Sequence, residues 1–249
     1  MFPILAFETR SYISNKMAIF WTVAYPIAML SLLISIFDPG LATDDVFASY
    51  RFKTTVGLIT LTIVSTALFG MGQAMSEMRA QRALIPYLFL PVSASTIIFA
   101  ILFSRIIIIV GFSAGFFYGA FFILGVDINY TAIIVLQVFL SLLAASLFSF
   151  ALVLPLLYIS RNAATIIALA NVVNIYALMS AGVFIPMEAL PSWSKIFVIS
   201  SPFYYLNIGL QASFEQDFGA FVLLTGAAIS ALGIGIVMIL ASNKLLVPK

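Results

Sequence analysis

The sequence predicts an all-α integral membrane protein, with six transmembrane helices, an N-terminal interfacial amphipathic helix and an outer re-entrant helical hairpin before the sixth span. Three observations lead there. Of 249 residues, 63% are hydrophobic and 8% charged, at a mean hydropathy of +1.20, where a soluble domain carries about 25% charged residues. The apolar residues gather in runs long enough to cross an apolar slab about 30 Å thick, which takes roughly 20 helical residues. The basic residues fall unevenly between the two sides those runs define. The whole length, 1–249, is consumed by one membrane domain.

The elements follow in chain order. In residues 1–16, at about 100° per residue, Phe2, Leu5, Ala6, Tyr12 and Ile13 share an arc that excludes Glu8, Arg10, Ser11 and Asn15, while Ile4 and Phe7 interrupt the pattern. This reads as an amphipathic helix lying in the interface, with a frayed tail as the alternative. The first span runs from about Met17 to Phe37 and stops at Asp38-Pro39-Gly40. It is too long for a signal peptide and no small-x-small cleavage site follows it, so it is expected to persist. Asp44, Asp45, Arg51 and Lys53 mark a short polar loop, and the second span covers about Thr54 to Ala74.

A polar stretch with Glu77, Arg79 and Arg82 precedes the third span, which is cleanest from Ile106 to Leu124 with Arg105 at its mouth, snorkelling to the headgroups. Gly111, Gly115 and Gly119 form a smooth ridge on it, suited to packing within the subunit. The fourth span covers about 131–158, Arg161-Asn162 turns the chain, and the fifth covers about 163–184. Pro186, Pro191 and Pro202 break the next segment into pieces too short to span. Such pieces can dip into the outer leaflet and return where protein covers their backbone. The sixth span begins after Phe218 and ends near Leu246.

A cytoplasmic N-terminus puts Arg10, Lys16, Arg79, Arg82, Arg105, Arg161, Lys244 and Lys249 inside, and only Arg51, Lys53 and Lys195 outside. Both termini are therefore expected in the cytoplasm, the chain being multi-pass in the cell (inner) membrane. The net charge of +2 gives no reason to expect nucleic acid. Cysteine and histidine are absent, which removes thiolate and imidazole metal sites and the usual nucleophile–base pairs, so an intramembrane enzyme is disfavoured. No charge lies near the middle of a span, which leaves a proton relay or a voltage sensor without its groups. There is no Gly-x-x-x-x-Gly-Lys-Ser/Thr phosphate loop, and no catalytic site or cofactor is expected in the chain itself.

The segment from Ala181 to Leu210 carries a resemblance. Ser180, Gly182, Phe184, Pro186, Glu188, Pro191, Trp193, Ser201, Pro202, Phe203 and Tyr205 resemble the pattern at this point in the permeases of type-2 ABC exporters, with Ser201 where Asn is common. Phe20-Trp21 followed by Pro26 resembles the opening of the first span in that class. Ser76-Glu77-Met78-Arg79, then Leu90-Pro91, resembles its cytoplasmic acidic-basic helix, without the usual Gly, with Pro86 inserted and with a slightly longer spacing.

The resemblance covers nearly the whole chain and implies six helices per subunit, a second permease subunit in a homo- or heterodimer, surrounding membrane lipid, and a separate cytoplasmic ATP-binding subunit that holds ATP and Mg. It also gives residues 76–93 a role as a docking helix: Glu77, Arg79 and Arg82 fix register and apolar residues including Leu84 and Leu88 fill the contact. The alternative is a solvated loop. Asn171 and Asn174, three residues apart within the fifth span, need partners in hydrocarbon. They either bond neighbouring helices or line a polar path at the dimer seam, with Thr62, Ser65, Thr66 and Gln73 of the second span as counterparts. Phe184, Pro186, Glu188, Pro191, Trp193 and Pro202 form the outer hairpin. The expected cargo is lipid-like, drug-like or glycolipid. A glycan exporter is the alternative within the class, and a stand-alone channel or secondary carrier the alternative outside it.

Overall fold

The computed structural model describes residues 2–36, 44–71, 94–126, 128, 131–159, 162–183 and 191–215. These residues are overwhelmingly helical, with no strand among them. Helix α1 (Phe2–Ser14) ends at Asn15, whose Oδ1 accepts from the backbone N–H of Ala18 and starts the next helix. The stretch expected as the first span is α2 (Lys16–Ile19), a π-helical turn (Phe20–Ala24) and α3 (Tyr25–Ile36) in succession.

Two boundaries differ from expectation. Helix α4 (Asp44–Ser65), continued by a second π-helical segment (Thr66–Met71), absorbs the polar loop expected around Asp44–Lys53. No Pro or Gly interrupts residues 44–56, so the helix propagates about 15 Å beyond the apolar run. Arg51 is put to use there, its Nη1 donating to the carbonyl of Leu124 at the end of the third span. Helix α5 (Ala94–Leu124) begins twelve residues before the expected Ile106. Arg105 therefore lies inside it, 4% exposed, and does not snorkel to solvent.

Helices α6 (Ala132–Ile159) and α7 (Ala163–Ser180) cover the stretches expected as the fourth and fifth spans, α7 ending four residues before the expected Phe184. Asn162 caps α7 by accepting from the Ala164 N–H at 3.0 Å, and Gly182 at φ +70° lets the chain leave it in the left-handed conformation. Three helical stretches are long and apolar enough to cross a membrane, Ser49–Gly70, Phe99–Leu124 and Ala132–Val153, and Phe20–Ile36 and Ala164–Ser180 are shorter apolar helices. The expected sixth span lies outside the described residues.

Helix α8 (Ser192–Ile199) and helix α9 (Pro202–Glu215) form the part of the hairpin segment that is described; Phe184, Pro186 and Glu188 lie outside it. Both helices are too short to span. Pro191 caps α8, Trp193 is 79% exposed, and Pro202 opens α9, where its missing N–H costs nothing. Ser201 accepts from the Phe203 N–H at 3.2 Å and bonds Ser180 at 2.6 Å. Serine and asparagine are comparable N-caps, so the departure from Asn at this position keeps the cap. Asn207 locks the joint by donating to the Ala181 carbonyl at 2.8 Å.

Helix α4 and its π-helical continuation form the central post, with Val56, Ile59, Ile63 and Ala67 fully buried against α3, α5, α6, α7 and α9. At one end Phe52, Phe117, Phe121 and Phe214 close on one another with ring centroids 5.1 to 5.8 Å apart. The glycine ridge does not pack within the described part of the subunit: nothing there comes within 4 Å of a Cβ placed at Gly111, Gly115 or Gly119.

Candidate functional site

At the other end of α4 the bundle opens into a cavity of about 520 Å³. Both π-helical segments border it, the first through Trp21 and Thr22 and the second through Thr66, Phe69 and Gly70. A π turn widens the helix and re-aims its side chains, which is why such turns gather at functional sites. Helix α1 closes one side, and Tyr12 sits where Gly70 leaves room, since a Cβ on Gly70 would come within 3.2 Å of the tyrosine ring.

A buried polar chain forms the floor. Arg105 reaches Glu8 at 3.4 Å and donates to the Glu8 carbonyl at 3.1 Å, with its guanidinium 4.4 Å over the Tyr12 ring. The Tyr12 hydroxyl bonds Thr22 at 2.6 Å, and Thr22 and Thr66 share a weaker contact at 3.4 Å. Thr9 joins α1 to α5 through Ser104 at 3.1 Å. Four elements are thereby tied by groups that hydrocarbon cannot solvate. Burial raises the Glu8 carboxyl above its usual range, and the Arg105 charge beside it pulls the other way.

The face of α1 that meets the protein is mixed. Glu8 and Tyr12, one turn apart, are buried and Leu5 and Thr9 half-buried, so the expected apolar arc is split, with Ala6 and Ile13 exposed alongside the polar Arg10, Ser11 and Asn15. What turns Glu8 inward is the partner it finds there, since an unpaired carboxylate is expensive in hydrocarbon.

The wall opposite carries the amides. Asn174 accepts from the Ser65 hydroxyl at 2.8 Å, joining α7 to α4, and Asn171 donates to the Ile167 carbonyl of its own helix at 3.0 Å. Asn171, Asn174, Ser65 and Thr66 all line the same cavity. Thr62 does not: it is buried and donates to the Leu58 carbonyl at 2.8 Å. Gln73 and the docking residues Glu77, Arg79, Arg82, Leu84 and Leu88 lie outside the described residues. Sequence reasoning missed Glu8, Tyr12, Thr22 and Arg105 as a group. The available signal was a carboxylate and an aromatic ring one helical turn apart near a span that holds an arginine.

A family model described as ABC-2 type transporter matches residues 2–215, which takes in α1, the cavity and α9. The chain belongs to this family. It is an ABC transporter permease, a transmembrane component of a transport system, and the matched stretch contains every element that borders the cavity. The comparison with curated proteins gives no match.

Proposed function

We propose that this permease is the membrane-spanning half of an ATP-driven exporter. It works as a dimer with a separate cytoplasmic subunit that binds ATP and Mg, and it moves a lipid-like, drug-like or glycolipid cargo out of the cytoplasm or inner leaflet. The observation that carries the reading is the family match over residues 2–215 together with the amide-lined cavity inside it. Six spans, a cell (inner) membrane location, cytoplasmic termini and a re-entrant outer hairpin from Phe184 to Pro202 belong to the same reading. Glu77, Arg79, Arg82, Leu84 and Leu88 dock on the ATPase and transmit its closure. Asn171, Asn174, Ser65 and Thr66 form the path, with Thr62 behind them shaping the helix.

The cavity volume supports an amphiphile over a glycan chain, since pockets of about 300–1,000 Å³ suit single drug-sized molecules. The test is purification of the tagged permease from its native membrane, followed by transport in sealed vesicles. A P-loop ATPase should co-purify in stoichiometric amount and uptake should require hydrolysable ATP. Uptake driven by an ion gradient with no ATPase bound would overturn the proposal in favour of a stand-alone carrier.

A further inference from the structure

The lining of the cavity restricts what can occupy it. Phe7, Trp21, Tyr25 and Phe69 present rings, with Trp21 and Tyr25 at 5.1 Å, and Leu61 and Leu178 add apolar surface. Such surfaces favour a flat aromatic body, which stacks and meets ring edges. The charges in the lining are Glu8 and Arg105, already paired at 3.4 Å, and the guanidinium lies over the Tyr12 ring. A charged ligand would give up its hydration and find no net opposite charge.

Open hydrogen-bonding capacity nevertheless remains. The amide of Asn174 bonds Ser65 through one of its two ends, so whichever way it is turned the other end is open. The oxygen of Asn171 is likewise left by the bond its nitrogen makes to Ile167.

We infer that the cavity is a binding site for one uncharged, flat aromatic compound of drug size that carries both a hydrogen-bond acceptor and a donor. The inference rests on the permease reading for why such a compound should enter, but it is tested by binding alone.

The sequence supplies the reporter. Trp21 and Trp193 are its two tryptophans, and Trp21 lines the cavity while Trp193 stands exposed on α8. The full chain carrying Trp193→Phe is placed in phosphatidylcholine nanodiscs and titrated with three anthracene probes that differ only in a carboxamide, a carboxylate or a trimethylammonium group. The carboxamide should quench Trp21 saturably, with half-saturation roughly tenfold lower than either charged probe. Asn174→Leu should raise that value by roughly threefold, the cost of one intramembrane hydrogen bond. Glu8→Gln, which leaves Arg105 uncompensated, should bring the carboxylate probe level with the carboxamide. Monodispersity of each variant is checked by size exclusion. Quenching that rises linearly for all three probes overturns the site, as does equal saturable binding of all three, and either result leaves ATP-dependent transport as a separate question. Saturable, carboxamide-selective binding supports the site even in a chain that never captures an ATPase, so the two proposals fail separately.

Discussion

At one end of α4 four phenylalanines close on one another. At the other, a carboxylate, a guanidinium, hydroxyls, three amides and several rings surround an open volume of about 520 Å³. The same post thus runs from an end of packed rings to a hollow one whose wall mixes rings with polar groups. In lipid the two solutions differ in kind. Apolar side chains gain little by leaving hydrocarbon, so the aromatic end holds by close contact and shape. Polar groups have nowhere else to go, so the hollow end is held by bonds between helices and can keep its space open. The end that is free to bind is therefore the end built from expensive groups.

The filled end should be the more sensitive to lost volume. Phe121 is 1% exposed and touches Phe52, Phe117 and Phe214, so Phe121→Ala should cost about 3–5 kcal/mol, read as a lowered Tm in detergent. Cargo preference of the surviving protein should not change. A Tm within a degree or so of wild type would mean that this end is not tightly filled.

At the hollow end the matching test is Arg105→Leu, which strands Glu8 in the interior at a cost of roughly 3 kcal/mol or more. The sign with pH distinguishes it from a packing defect. Burial already raises the Glu8 carboxyl, and loss of Arg105 removes the charge that lowers it. The folded chain then holds the proton more tightly than the unfolded one. Its stability falls as pH rises through the window between the ordinary carboxylate value and the raised one, and returns as pH falls. The Tm deficit of Arg105→Leu should shrink toward acid pH, and adding Glu8→Gln should abolish that dependence. A deficit independent of pH would contradict a buried, stranded carboxylate.

Between the ends, α4 approaches the chain after α7 so closely that a Cβ on Gly57 would sit 2.6 Å from the Val183 side chain. Gly57→Ala should cost about 1–3 kcal/mol by overpacking, and Val183→Ala in the same chain should restore part of it. Smaller still is the cap of α9. Ser201→Ala should cost about 1 kcal/mol, and Ser201→Asn much less, because either side chain can accept from the Phe203 N–H.

The sequence named Asn171, Asn174, Ser65 and Thr66 at the hollow end but none of the four phenylalanines at the other, because one phenylalanine among 24 carries no sign of its partners. Long apolar runs located the apolar stretches of α3, α4, α5, α6 and α7, three of them long enough to cross a membrane, because hydrophobicity is a local property that any window detects. The polar ends of α4 and α5 were misread for the same reason: Arg51 and Arg105 look like boundaries to a window, yet one reaches a helix-terminal carbonyl and the other an ion partner 97 residues away in sequence. Asn171 and Asn174 were legible as candidates since an amide in a span demands explanation, and their meeting with Ser65 and Thr66 in one cavity follows from the neighbouring positions of α4 and α7. Which face of α1 turned inward was only partly legible: Tyr12 of the expected apolar arc is buried, but Glu8 turns inward beside it to meet an arginine 97 residues away.

The account stands on the hollow end being the path, and Asn174→Leu in the assembled transporter tests that most directly. The substitution keeps bulk and removes one hydrogen bond, worth about 0.6 kcal/mol in a membrane, so expression, dimer formation and Tm should stay near wild type. Transport should fall or shift its cargo preference, because the change strips an open amide from the cavity wall. Unchanged ATP-dependent export of every accepted cargo by this variant, and by Asn171→Leu beside it, would contradict the assignment.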